Sequence, residues 1–262
     1  MHKFDIENHV VQSNDLITSK WKLDRVSLKL FEMAVAALDI SKENPSRDVF
    51  LKKDDIFMMF RATSGDRYYR FKEHIKDLMK QVVEIELPND RVAAIVPITY
   101  SKWGKKDSDQ HVMLRFNEEI MPLLIDLKAR FTAYSIANLV NLTSKYAIII
   151  YKLAKMELWK GQVCTFSMAT LREVTDTVDL YGRFGNFEAK VLKPAVDEIN
   201  NGRTDIVMKY EKIKEGRRIE AIRFYTRPRL SYSDTDYDNP KPIKGLTDED
   251  VTMSFDDTNW EV

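Results

Sequence analysis

The sequence predicts an α+β chain in which one plan is used twice, helices first and a β-ribbon last. Three observations carry this reading. Apolar residues recur every three or four positions over 23–38 and 67–80, then give way to β-rich stretches through 82–116. The same order returns between 142 and 226. Each ribbon has its own turn signal, Pro88-Asn89-Asp90 in the first and Lys214-Glu215-Gly216 in the second.

In the first half, Leu23, Val26, Leu30, Met33, Ala34 and Ala37 share one face of an amphipathic helix. Leu16, Leu23 and Leu30 also fall seven apart, but three leucines are too few heptads for a coiled coil, so they read as core. After a loop with Pro45, residues 52–60 read as a short helix whose first turn holds Asp54 and Asp55, where the helix dipole favours carboxylates. Ala62-Thr63-Ser64-Gly65 breaks it, and 67–80 resumes with Phe71, Ile75, Leu78 and Met79 on one side. Two helices joined by a tight glycine-containing turn suggest a helix-turn-helix. Strands are expected at 82–87, 91–96, 98–103 and 111–116, with a polar loop at 104–109. A helix-turn-helix followed by a β-ribbon is a winged-helix pattern.

In the second half, 142–159 reads as a long helix ended by Gly161, and 164–166 as a short strand. Ser167 is placed to cap a helix running through Val174. A loop with Asp176 and Asp179 leads to a further helix over 183–200, then strands at 205–213 and 217–226. The chain thus divides into an N-terminal winged helix over 1–130, a C-terminal one over 131–230, and an acidic tail over 231–262. The tail is rich in Asp, Ser and Thr, contains Pro240 and Pro242, and lacks an apolar period. It is expected to be disordered or loosely docked, and its removal to leave any DNA binding intact.

The 262 residues carry 41 Lys+Arg and 41 Asp+Glu, but the balance is uneven. Residues 231–262 hold nine acids and two bases, whereas 131–230 hold 17 bases and 11 acids. Concentrated positive charge attracts polyanions, nucleic acid foremost; a plain solvated basic face is the alternative. The eight glycines never fall in a phosphate-loop spacing, the four histidines (2, 9, 74, 111) form no His-x-His or His-x-x-x-His pair, and no G-x-S-x-G elbow occurs. Cys164, with no adjacent base, reads as a small core residue. Neither a catalytic constellation, a metal site nor a cofactor is expected. The N-terminus lacks a signal-peptide pattern, and apolar runs such as 147–151 are too short to span a bilayer, so a cytoplasmic protein is expected.

The sharpest signal lies over 183–200. At about 100° per residue, Phe184, Glu188, Leu192, Ala195, Val196 and Ile199 fall on one side, and Arg183, Asn186, Lys190, Lys193 and Asp197 on the other. Arg and Lys donate to guanine O6/N7 and Asn pairs with adenine N6/N7, so the outer side suits a major groove. Pro194, also outward, predicts a local bend. The hairpin that follows carries Lys209, Lys212, Lys214, Arg217, Arg218, Arg223, Arg227 and Arg229, with Arg217 and Arg218 at its tip as the best phosphate contacts. The corresponding first-half helix turns Tyr69, Lys72, Lys76 and Lys80 outward, interrupted by Glu73 and Asp77. That mixed face fits lighter DNA contacts, an interface or plain solvation.

The segments SNDLITSKWKL, LTSKYAIIIYKLAK and VLKPAVDEINNGRTDIVMKYEKIKEGRRIEAIRF closely resemble the RepB-type initiator proteins of theta-replicating, iteron-containing plasmids, over roughly residues 8–228. The resemblance implies two tandem winged-helix domains. It implies an initiator that binds direct repeats at the plasmid origin, helps open an adjacent A+T-rich region and recruits host replication proteins such as the replicative helicase and the host initiator, with no nuclease activity. It places repeat recognition on the helix at 183–200, and dimerisation with auxiliary DNA contacts on the first domain. Dimers would repress their own gene at an inverted repeat, and monomers would occupy the origin repeats. A tandem winged-helix transcription regulator is the alternative.

Overall fold

The computed structural model describes residues 8–40, 45–60, 67–87, 89–104, 110–125, 127–128, 130–158, 161–201, 204–231 and 234–239, with the backbone alone at Phe60 and 67–69. The first unit opens with β1 (His9–Ser13), α1 (Asn14–Ile17) and α2 (Arg25–Ala36). Ser13 caps α1 by accepting from the Leu16 amide at 3.2 Å, and Asp24 caps α2 by accepting from the Ser27 amide at 2.7 Å. Everything in α2 from Ser27 to Ala36 is buried, so it is the central helix of the unit and not merely an amphipathic one. Next come β2 (Asp48–Lys52), α3 (Lys53–Phe60) and α4 (Arg67–Lys80), the latter two being the expected short helices. The Ala62–Gly65 break lies outside the described residues.

The strands β3 (Val83–Leu87), β4 (Arg91–Ile95), β5 (Ile98–Trp103) and β6 (His111–Phe116) follow the sequence reading closely, but they do not make one ribbon. β3 and β4 form a two-stranded sheet of their own, through a turn in which Asn89 and Asp90 take left-handed φ of 63° and 54°, and Lys20 bridges to Glu84 at its edge. The wing proper is β5 and β6, with β2 on the outer side of β6 in an antiparallel order β2-β6-β5. The polypeptide then returns through a 3-10 turn (Glu118–Leu123) to β7 (Phe131–Ser135), which pairs antiparallel with β1, and α5 (Ala137–Val140). Strands β1, β2 and β7 are additions to the sequence reading.

The second unit comprises α6 (Lys145–Leu158), β8 (Val163–Ser167), α7 (Met168–Val174), α8 (Phe184–Phe187), a π-helical turn (Glu188–Leu192), α9 (Lys193–Asn201), β9 (Ile206–Glu215) and β10 (Arg218–Pro228). Its sheet runs β8-β10-β9, all antiparallel. Ser167 caps α7 as expected, accepting from the Thr170 amide at 3.0 Å. The helix read over 142–159 begins later, at Lys145, because Thr143 and Ser144 serve as its cap region. Their amides, and the Thr143 hydroxyl, donate to the Glu198 carboxylate of α9.

Helix α6 belongs to both units. One side packs on α9 and the wing sheet of the second; the other meets α1 and β7 of the first. Tyr134 of β7 and Tyr151 of α6, both fully buried, meet edge to face with centroids 5.7 Å apart. Beside them Glu32 of α2, with no exposed surface, accepts from Lys152 Nζ of α6 at 2.6 Å and from the Tyr134 hydroxyl at 2.7 Å. Gln12 Nε2 of β1 donates to both Glu32 and Tyr134. Desolvation raises the phenol of Tyr134 well above its ordinary value, and the neighbouring Glu32 charge adds to this, so it stays a proton donor. A buried ion pair with a hydrogen-bonded shell therefore crosses the seam between the units.

The 231–262 segment is docked where it is described. Asp234 is fully buried and takes a two-pronged hydrogen bond from Arg227, at 2.6 and 2.7 Å, and another from the Leu230 amide. The Tyr237 ring lies against Tyr225, Lys209 and Arg227, and Asp238 accepts from Lys209. Residues 240–262 lie outside the described residues.

Candidate nucleic-acid interface

The run from Phe184 to Asn201 is one continuous helical stretch with a wider turn in its middle. Its inner stripe consists of Phe184, Phe187, Glu188, Val191, Leu192, Ala195, Val196 and Ile199, all buried or half-buried. Phe187 and Val191 fall at the same three- and four-residue spacing as the residues read from the sequence and complete the stripe. Arg183, Asn186, Lys190, Lys193 and Asp197 are all exposed. Arg183 is the N-cap residue, and its donor-only side chain is exposed to solvent. Among the described residues, Arg183, Lys190 and Lys193 make no ion pair, so this face keeps its charge.

Just before Pro194, where a bend is expected, the helix forms a π-helical turn in which the Lys193 amide bonds back to the Glu188 carbonyl. Pro194 itself has no amide proton to offer the Lys190 carbonyl, so a regular helical bond is missing at that point. Glu188, first residue of the turn, ties the helix to the wing. Its carboxylate accepts from the Tyr210 hydroxyl at 2.9 Å and from Lys212 Nζ at 2.7 Å, and Lys212 also lies over the Phe184 ring. Burial pushes the Glu188 carboxyl up, but hydrogen bonds from Lys212 and Tyr210 and the charges of Lys212 and Lys193 outweigh it and hold it below the ordinary range. Lys212 is thus an anchored cation, partly compensated, beside the helix.

At the wing tip Gly216 takes φ +60°, the left-handed turn position that suits glycine, and Arg217 and Arg218 are exposed and free of ion pairs among the described residues. The base of the wing differs from the sequence reading. Arg227 is committed to Asp234 and Lys209 to Asp238. Arg229 donates to the backbone carbonyls of Ile199, Asn200, Thr204, Ile206 and Asp234. These three cations stabilise the fold and are unavailable as phosphate contacts.

In the first unit, α4 carries its lysines as internal pairs. Lys76 donates to Glu73 at 3.1 Å and Lys80 to Asp77 at 3.3 Å, each one helical turn apart. Lys72 is half-buried and also has a partner, and the Tyr69 side chain lies outside the described part. The two units therefore present unlike faces: lysines paired within α4, and on α8–α9 cations without ion pairs among the described residues. Among the described residues there is no group of three or more His, Cys, Asp or Glu that could hold a metal, and no helix long and apolar enough to cross a membrane.

Comparison with known proteins accords with this architecture. A family model described as initiator replication protein, WH1, matches residues 9–155, and a second described as initiator Rep protein, WH2, matches 167–226. A replication initiation protein of Escherichia coli is 27% identical over 222 residues, 82% of this chain and 68% of that one. The crystal structure of Pi initiator protein in complex with iteron DNA superposes with a TM-score of 0.69 at 21% identity, over 84% of this chain and 97% of that chain. With both winged helices matched in order and over most of its length, the chain belongs to the initiator replication protein family.

Proposed function

We propose that this protein is a plasmid replication initiator that binds direct repeats in double-stranded origin DNA and has no enzymatic activity of its own. The observation that carries the reading is the uncompensated face of Arg183, Asn186, Lys190 and Lys193 beside the free arginines of the wing tip. In this reading the helix lies in the major groove, where those side chains discriminate base edges. Arg217 and Arg218, with the anchored Lys212, hold phosphates and set the register. Tyr69, Lys72 and Lys76 add only light contacts, because Lys76 already neutralises Glu73. Several copies bound in helical phase bend and strain the origin until its A+T-rich pairs open, and the host helicase and initiator are recruited there. As a homodimer the protein represses its own gene at an inverted repeat. Its setting is the bacterial cytoplasm.

Footprinting on the DNA that flanks the gene, at fixed salt, tests this. Several protected direct repeats beside an A+T-rich stretch are expected; a lone protected inverted repeat would leave a transcription regulator instead.

Point variants separate the two kinds of contact. Asn186→Ala or Lys190→Ala is expected to weaken repeat binding by about 1–3 kcal/mol and to relax base preference. Equal losses on repeat and random duplexes would remove Asn186 from base reading. Arg217→Ala is expected to weaken all sequences alike and to lower the slope of log K against log salt by about one. Titration at several salt concentrations reads both effects.

A further inference from the structure

Recognition helices are aimed by whatever fixes the turn that leads into them. Here that turn, 175–183, is an improbable piece of backbone. Two of its non-glycine residues, Asp176 and Tyr181, take φ of 53°, the left-handed region that side chains other than glycine adopt rarely. Two of its apolar side chains, Val178 and Leu180, are 60% and 50% exposed, and only Tyr181 packs, half-buried, against the core. Thr175 and Thr177 are buried and bonded to each other, which fixes only its first residues.

The second half of the turn is gathered by one side chain. Arg172, in the last turn of α7, donates from Nη1 to the carbonyls of Thr177 at 3.2 Å and Leu180 at 2.8 Å. From Nη2 it donates to those of Tyr181 at 2.9 Å and Gly182 at 3.4 Å. Its guanidinium carbon also sits 5.0 Å from the centroid of Phe187, which is buried in the first turn of the helix. No carboxylate lies within ion-pair distance among the described residues, so the planar fork is spent wholly on the turn and the ring. Helix α6 adds two side-chain ties, Lys145 to Asp176 at 3.4 Å and the Tyr146 hydroxyl to that of Tyr181. Neither touches 182–187, where the base-reading helix begins.

We infer that Arg172 is the positioning residue of the recognition helix: by fixing the backbone at 177–182 and the ring of Phe187, it aims Arg183 and Asn186 and so sets base discrimination without touching DNA. The inference rests on the helix being the reading element proposed above. Lysine in its place keeps the charge but cannot fork across four carbonyls or stack as a plane.

The test starts from the duplex that the full-length wild-type protein enriches from a random-sequence pool, with a scrambled duplex of the same composition as control. Affinities for both are measured for wild type, Arg172→Lys, Arg172→Met and Phe187→Leu across a salt series, with a thermal melt of each. For Arg172→Met the ratio of enriched to scrambled affinity is expected to fall about 10- to 100-fold, the discrimination carried by one or two good base contacts. Arg172→Lys should lose most of that, and Phe187→Leu part of it. Affinity for the scrambled duplex should stay within about twofold and the salt slope unchanged, because no phosphate contact is removed. Faster amide exchange at 180–187, with a melting point near that of wild type, should accompany the loss. A salt slope smaller by about one would make Arg172 a phosphate contact and overturn the inference. So would equal losses on both duplexes with a lowered melting point, or an unchanged ratio. A wild-type protein that enriches no sequence would bring down the DNA-reading proposal itself, and this inference with it.

Discussion

Replacing Glu32 with alanine is expected to cost about 3–5 kcal/mol of folding stability, the range for breaking a buried ion pair by removing one partner. The side chain is wholly enclosed, and its loss strands the Lys152 ammonium, itself almost fully buried, without a counter-charge. It also leaves the Tyr134 hydroxyl and the Gln12 amide without their shared acceptor. The double variant Glu32→Met with Lys152→Met should recover most of the loss, because two apolar side chains of similar size leave no orphaned charge. Urea unfolding of wild type, Glu32→Met, Lys152→Met and the double variant measures the coupling. If Glu32→Ala shifts the midpoint no more than a surface substitution does, the pair is not holding the seam.

Ending the chain at Leu230 is expected to destabilise the second unit by about 3 kcal/mol or more, whereas ending it after Asn239 should be nearly neutral. The shorter cut removes Asp234, the buried partner of Arg227, and with it one of the five carbonyls that Arg229 gathers. Asp234→Ala should reproduce most of the effect. Thermal melts of the three variants decide it, and an unchanged midpoint at Leu230 would make the docked segment dispensable. The same carboxylate sets an acid limit. Burial pushes the Asp234 carboxyl up, but the Arg227 hydrogen bond, the Leu230 amide and the charges of Arg227 and Arg229 outweigh it, and the group titrates below its ordinary value. A depressed carboxylate contributes stability that is present above the unfolded value and is lost as pH falls through the folded one. The difference between wild type and Asp234→Ala should therefore shrink as pH drops below about 4.

What the sequence disclosed was whatever is written locally. The α4 bounds, the Ser167 cap, the β5 and β6 strands and the outward set over 183–200 all follow from periodicity, capping and turn chemistry within a few residues. The β1–β7 pair was illegible because its strands lie more than a hundred residues apart, with no hairpin turn to announce them. Arg172 looks in the sequence like an ordinary cation at a helix end, and only the folded turn shows four carbonyls converging on it. Asp234 reads as one of nine acids in a polar tail, while Arg227 and Arg229 read as part of a basic ribbon. Opposite charges close in sequence can be partners or neighbours in solvent, and composition does not distinguish the two. The charge count places the surplus of cations in the second half; it could not say which of them the fold would spend on itself.

The joint between the two units contains no slack. From the end of α5 only residues 141–144 intervene before α6, and Thr143 and Ser144 in that stretch are fastened to Glu198 of α9. Flexing the joint would mean breaking a charged cap and shearing a buried ion pair at once. A body braced in this way that gripped a duplex at two points would act as a lever if it were the stiffer member, and a duplex bends for a few kcal/mol over a site of about 20 to 30 base pairs. The strain of assembly would then be stored in the nucleic acid, where it can do work, instead of being dissipated in the protein.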